Sequence, residues 1–305
     1  MVGTKTDDSK IAGGMPEGRG VRALKKPVVV IALLALAGAL GIVVLVRSLG
    51  DSISLPKLGP DCTVRAGGEV GLDFVQMANA ATITAVGVRR GMPDRAVVVA
   101  LAAALQESKL ENLEDGDRDS LGLFQQRPSQ GWGPAEKIGD PRYAAGRFYS
   151  ALKKVKGWKT MRITEAAQRV QRSAYPNAYD KWADEAAILA KALTGRATGA
   201  VACTMSGEPV LRGAAAAAAL LKGLRLDWGT ALPTTAQQPS GLTVEAADAA
   251  AGWRYAHWLV SHARSTGLER VRFADREWQA ETGAWRAVTD GDPTGARLVV
   301  AQVFR

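Results

Sequence analysis

Residues 94–133, DRAVVVALAAALQESKLENLEDGDRDSLGLFQQRPSQGWG, constrain the fold more than any other stretch of this chain. Val97, Val98, Leu101 and Leu105 recur at helical spacing, which predicts a core helix starting at Pro93 and Asp94. Glu107 follows Ala104, Ala103 and Ala100 by three, four and seven residues, so it shares a face with small apolar side chains. A carboxylate on such a face is poorly solvated, which favours its protonated form as a general acid requires. A polar loop around Gly116 comes next, and Ser120–Pro128 alternates enough for a short hairpin.

The pattern between Leu72 and Gly195 is mostly helical. Leu72–Arg89 reads as one helix and the Glu107 segment as the next. Others open at Asp140-Pro141, at a Thr164 cap and at Asn177, the last stopping at Gly195. Gln106-Glu107-Ser108 at a helix end, Gly122-Leu123-Phe124-Gln125 after a loop, and the later run Ser173-Ala174-Tyr175-Pro176-Asn177-Ala178 occur in that order. Together they resemble the lysozyme-like superfamily, in its lytic transglycosylase branch, although Pro176 interrupts the third motif. The resemblance implies a mainly α, lysozyme-like (α+β) domain with a small hairpin. It also implies cleavage of the glycan strand of peptidoglycan between N-acetylmuramic acid and N-acetylglucosamine. Glu107 would be the catalytic acid and then the base, with Tyr175 lining the cleft opposite it.

A transglycosylase needs one carboxylate, because the sugar's own hydroxyl closes an anhydro ring. A muramidase needs a second, for which Asp117 and Asp119 are the candidates, with turn formation beside Gly116 as their other role. Ser120, Gln125 and Gln126 either bind sugar hydroxyls or hold the hairpin to its neighbours. Trp132, in a Gly-Trp-Gly loop, either stacks on a sugar ring or covers the core. For Glu107 the alternative is an ordinary salt bridge with Lys109 or Arg127.

Other segments place these motifs in a longer plan. Residues 1–26 are Gly- and charge-rich, carry a net +3, and read as a disordered cytoplasmic tail. Residues 27–46 run twenty positions without a charge, long enough for a single transmembrane helix. The basic residues before it predict a cytoplasmic N-terminus and a single-pass membrane protein whose bulk lies outside the cytoplasm. A cleaved signal peptide is the alternative. Residues 47–61 form a tether and 62–203 the lysozyme-like domain. Residues 204–242 comprise a helical segment and a Pro-, Thr- and Gln-rich linker, and 243–305 a small α+β domain.

Cys62 and Cys203, the two cysteines, bracket the 62–203 domain and suggest one disulfide; the other reading is a catalytic thiol, which needs a base nearby. The histidines, His257 and His262, lie five apart in another segment and read as packing residues, so neither a metal nor a cofactor is expected. The C-terminal segment faintly resembles an accessory domain of bacterial cell-wall hydrolases, whose metal-binding histidines have no counterpart around Arg297. The formal charge of +9 calls for anionic partners, and no nucleic-acid motif is present. The resemblance implies peptidoglycan as the partner, residues 27–46 add the membrane, and the C-terminal segment is the candidate site for an envelope protein. Non-catalytic roles, as a peptidoglycan-binding or envelope scaffold protein, are the alternative to an enzyme.

Overall fold

The structure, a computed structural model, describes residues 61–173, 175, 177–237, 240–288 and 297–305. The expected membrane helix at 27–46, the tail before it and nearly all of the tether lie outside the described residues. Among the described residues no helix is long and apolar enough to cross a membrane. The fold is mixed α+β, with nine helices and two antiparallel sheets among the described residues.

Strands β1 (Cys62–Arg65) and β2 (Glu69–Leu72) form a hairpin, and β3 (Val201–Cys203) pairs with β1 on its other edge. Cys62 and Cys203 stand directly opposite in the β1–β3 register, and the two are joined by a disulfide. That bridge closes a loop whose ends are 141 residues apart in sequence. In the chain-entropy view it stabilises the fold by up to about 5 kcal/mol.

Between these strands lie helices α1 (Phe74–Arg89), α2 (Asp94–Ser108), α3 (Ala135–Ile138), α4 (Pro141–Lys154), α5 (Ile163–Gln171) and α6 (Ala183–Leu193). Asp73 caps α1 through a reciprocal pair of bonds with Gln76, so the helix starts after β2 rather than at Leu72. Asp140 caps α4 as its sequence predicts, whereas α5 starts after Arg162 and buries Thr164 in its first turn. The central element is α2, packed against α1, α4, α5 and α6. Alanines at 96, 100, 102, 103 and 104 are fully buried and let these neighbours approach closely. Gly87 of α1 does the same locally, since a Cβ there would lie 2.6 Å from the Tyr149 hydroxyl.

Helix α7 (Gly213–Trp228) follows, then β4 (Thr234–Gln237) and β5 (Gly241–Glu245). Next come α8 (Ala249–Ser261), α9 (Ala263–Thr266), β6 (Leu268–Phe273), β7 (Arg276–Gln279), β8 (Trp285–Ala287) and β9 (Leu298–Val303). The strands form one sheet in the order β4-β5-β9-β6-β7-β8. One sequence expectation changes here: the segment read as a linker contributes β4 and the start of β5, while the helical segment before it, α7, buries Ala216, Ala217, Leu220 and Leu224.

The described residues belong to one compact unit, and buried polar bonds cross the expected boundary at 203/204. His257 of α8 donates from Nδ1 to Ala192 O (2.8 Å), and its Nε2 accepts from Ala200 N (2.9 Å). Asp227 of α7, fully buried, accepts from Thr82 of α1 (2.8 Å) and Trp258 of α8 (2.7 Å). Arg142 of α4 forms an ion pair with it at 2.6 Å. His257 is thus bonded and packed inside the core, and His262 stacks on Trp258 with ring centroids 4.0 Å apart.

Candidate functional site

The end of α2 is fixed by three consecutive side chains that reach three different partners. Gln106 accepts a hydrogen bond from the Trp182 indole (2.9 Å), and Glu107 Oε1 accepts one from the Tyr179 hydroxyl (2.6 Å). Ser108 donates to Leu123 O (2.8 Å) and so holds the hairpin turn against the helix end. Helix α2 terminates there because Lys109 and Leu110 both adopt positive φ, which breaks the helical ladder. Glu107 is half-buried at this corner, between the hairpin and the 179–182 turn.

The hairpin expected at 120–128 is a single antiparallel bridge, Leu121 with Gln126, closed by two backbone bonds of 3.0 Å. Gly122 turns it with φ +71°, where a Cβ would sit 2.9 Å from Ile138 O, so both the conformation and the space require glycine. Phe124, at its tip, stacks on Phe148 of α4 at 4.8 Å. Gln171 at the end of α5 donates to Phe124 O (2.8 Å), which fixes the hairpin from the other side.

Asp119 sits at the root of the hairpin. It accepts from Arg127 Nε (2.8 Å), Ser129 N (2.8 Å) and Ser129 Oγ (2.9 Å). The hydrogen bond from Arg127, with those from Ser129 after it, holds this carboxyl far below the usual carboxylate range. Its role here is to brace the loop across ten residues. Asp117 is exposed, with Arg118 at 3.9 Å.

The remaining candidates divide between the interior and the surface. Gln126 is buried and donates to Ala144 O (3.1 Å), tying the hairpin to α4. Gln125 has φ +45°, and its amide donates to Gly122 O and covers Gly116. Ser120 is buried, its backbone N–H donating to Asp117 O. Trp132 is half-buried, packs on the core and accepts at its carbonyl from Tyr143 (3.3 Å). Tyr175 is 75% exposed, and the tyrosine that meets Glu107 is Tyr179, fully buried four positions later.

Both cations that an ordinary salt bridge would give Glu107 are engaged elsewhere. The Lys109 ammonium lies 3.6 Å above the Trp182 ring, and Arg127 is paired with Asp119. Among the described residues, Tyr179 is the one hydrogen-bond partner of Glu107. Burial, then the adjacent Glu107 charge and the bond to it, push the Tyr179 hydroxyl well above the usual tyrosine range. It therefore stays a neutral donor, and among the described residues the carboxylate it positions has no fixed cation beside it. Such a carboxylate can release and recover a proton without breaking an ion pair. Among the described residues, no three His, Cys, Asp or Glu side chains converge as a metal site.

Compared with protein-family models and with curated proteins, the sequence matches none.

Proposed function

We propose that this chain cleaves the glycan strand of peptidoglycan outside the cytoplasmic membrane, with Glu107 as the single catalytic carboxylate. The observation that carries the proposal is the Tyr179–Glu107 bond at the corner between the hairpin and the end of α2. Three features support it. The first two motifs of the lysozyme-like resemblance meet in space, because Ser108 bonds Leu123, and Tyr179, the residue after the third motif, bonds Glu107. Glu107 has no cationic partner among the described residues. The Cys62–Cys203 disulfide suits an oxidising compartment, in keeping with an outward-facing chain anchored through residues 27–46.

In the mechanism that fits, Glu107 donates its proton to the glycosidic oxygen as the bond to N-acetylmuramic acid breaks. The carboxylate left behind takes a proton from the sugar's own hydroxyl, which closes an anhydro ring on the same residue. Tyr179 holds the carboxylate in one orientation through both steps. Asp119 is saturated by Arg127 and Ser129, and this favours the one-carboxylate route over hydrolysis. Release of muropeptides from purified peptidoglycan by the wild type, and its loss in Glu107→Gln, is the test. Intact binding of sacculi by both proteins without release would instead favour a glycan-binding scaffold.

A further inference from the structure

Between α4, α5 and the loop at 130–132 the surface folds into a groove of about 650 Å³. Arg147, Lys154, Arg169 and Arg172 line it together with Trp132 and Gln171, and its lining contains no acidic residue. The charge is concentrated in sequence as well. Residues 141–172 hold nine Lys or Arg and one acidic residue, a net +8 where the whole chain carries +9.

Arg147 is set in place by a hydrogen bond to Gly131 O (2.9 Å). Among the described residues, Lys154, Arg169 and Arg172 have no carboxylate in ion-pair range. Favourable placement at helix C-termini accounts for Lys154 and Arg169, each in a last turn. It does not account for Arg147 in the middle of α4, nor for the convergence of all four on one concavity.

We infer that this groove is a second binding site, for a polyol-phosphate chain of the cell wall. Repeated cations without acids match repeated phosphodiesters, and guanidinium groups bind phosphate oxygens in pairs. The concave shape admits a single chain and does not conform to a flat bilayer. Trp132 is the one aromatic side chain in the lining, so successive bases of a nucleic acid would find no stacking platform. Gln171 lines the groove and also holds the hairpin through Phe124 O, which places the site beside the Glu107 corner. A chain held there would tether the enzyme to its wall while the glycan is processed. The choice of wall polymer rests on the outward-facing location proposed above; the anion site itself does not.

The test is fluorescence anisotropy of the full chain in neutral detergent with a labelled poly(glycerol phosphate) chain, carried out on Glu107→Gln so that no glycan is cut. Arg169→Ser/Arg172→Ser should weaken binding about tenfold and lower the slope of log K against log salt by about 1.5, at roughly 0.7 per phosphate released. Lys222→Ser/Arg225→Ser, with the same charge loss on α7, should change binding less than twofold. Lys154→Ser, exposed at the end of α4, gives an independent reading if the groove pair disturbs folding, and should lower the slope by about half as much. Equal losses in the groove and α7 pairs would overturn the site in favour of diffuse charge. Tighter binding of single-stranded DNA of equal charge would overturn the choice of polymer, and no binding would overturn both.

Discussion

The Tyr179 hydroxyl donates to Glu107 Oε1 at 2.6 Å, and Tyr179 is fully buried while Glu107 is half-exposed. The donor is thus held in the interior, and the acceptor keeps part of its surface open to solvent. Tyr179→Phe keeps the ring and removes only that bond, so sacculus binding should persist while the digestion rate falls about tenfold or more. Stability should drop by about 1.5–3 kcal/mol, the range for a hydrogen bond to a charged group. A digestion rate equal to the wild type's would remove Tyr179 from the proposed machinery.

Reduction, or Cys62→Ser/Cys203→Ser, opens a loop spanning 141 residues of sequence. The loss of stability should approach but not exceed about 5 kcal/mol, read from denaturant midpoints at constant m. A change under about 1 kcal/mol would mean that the β1–β3 pairing alone holds the two ends.

His257 links stability to pH. Burial, opposed only in part by the bond to Ala192, lowers its pKa to about 4 from the ordinary 6.5. The unfolded chain therefore takes up the proton first as pH falls. The contribution is complete above about 6.5 and is lost between 6.5 and 4, on the order of 3 kcal/mol over the window. Burial lowers the His262 pKa as well, which adds in the same direction. Denaturation of wild type and His257→Asn at several pH values should show a flatter dependence in the variant. Parallel curves would contradict the assignment.

Asp227 joins α7 to α1, α4 and α8, and it is fully buried. Asp227→Ala leaves Arg142 without its partner in a largely buried place and should cost about 3 kcal/mol, the low end for a broken buried pair because Arg142 is 28% exposed. Unfolding should remain a single transition, since α8 still packs between the sheet and the helices. Two separate transitions would show that the residues on either side of 203/204 fold independently.

The sequence carried the Glu107 corner unevenly. Glu107 was legible because α2 is long and apolar from Ala96 to Leu105, so its polar last turn stands out against the run before it. Tyr179 was not, because residues 177–179 form a turn and the sequence around them has no period to tell which of two tyrosines four apart points inward. Strands β1, β2 and β3 have three or four residues each, too few for alternation to register, and β1 pairs with β3 across most of the helical segment. The linker reading failed at β4 because Pro, Thr and Gln mark loops locally, while pairing with Val244, Thr243 and Leu242 of β5 fixes Thr234–Gln237 as an edge strand. Strand β9 is the most legible strand of its sheet, because Val299, Ala301 and Val303 alternate inward between polar or less buried neighbours.

Mass spectrometry of the products released from purified peptidoglycan by the wild type and Glu107→Gln tests the central proposal most directly. The proposed route yields anhydro-muropeptides, one water lighter than hydrolysed ones, from the wild type and none from the variant. Hydrated products from the wild type would contradict the single-carboxylate route, and equal release by Glu107→Gln would contradict the assignment of Glu107 itself.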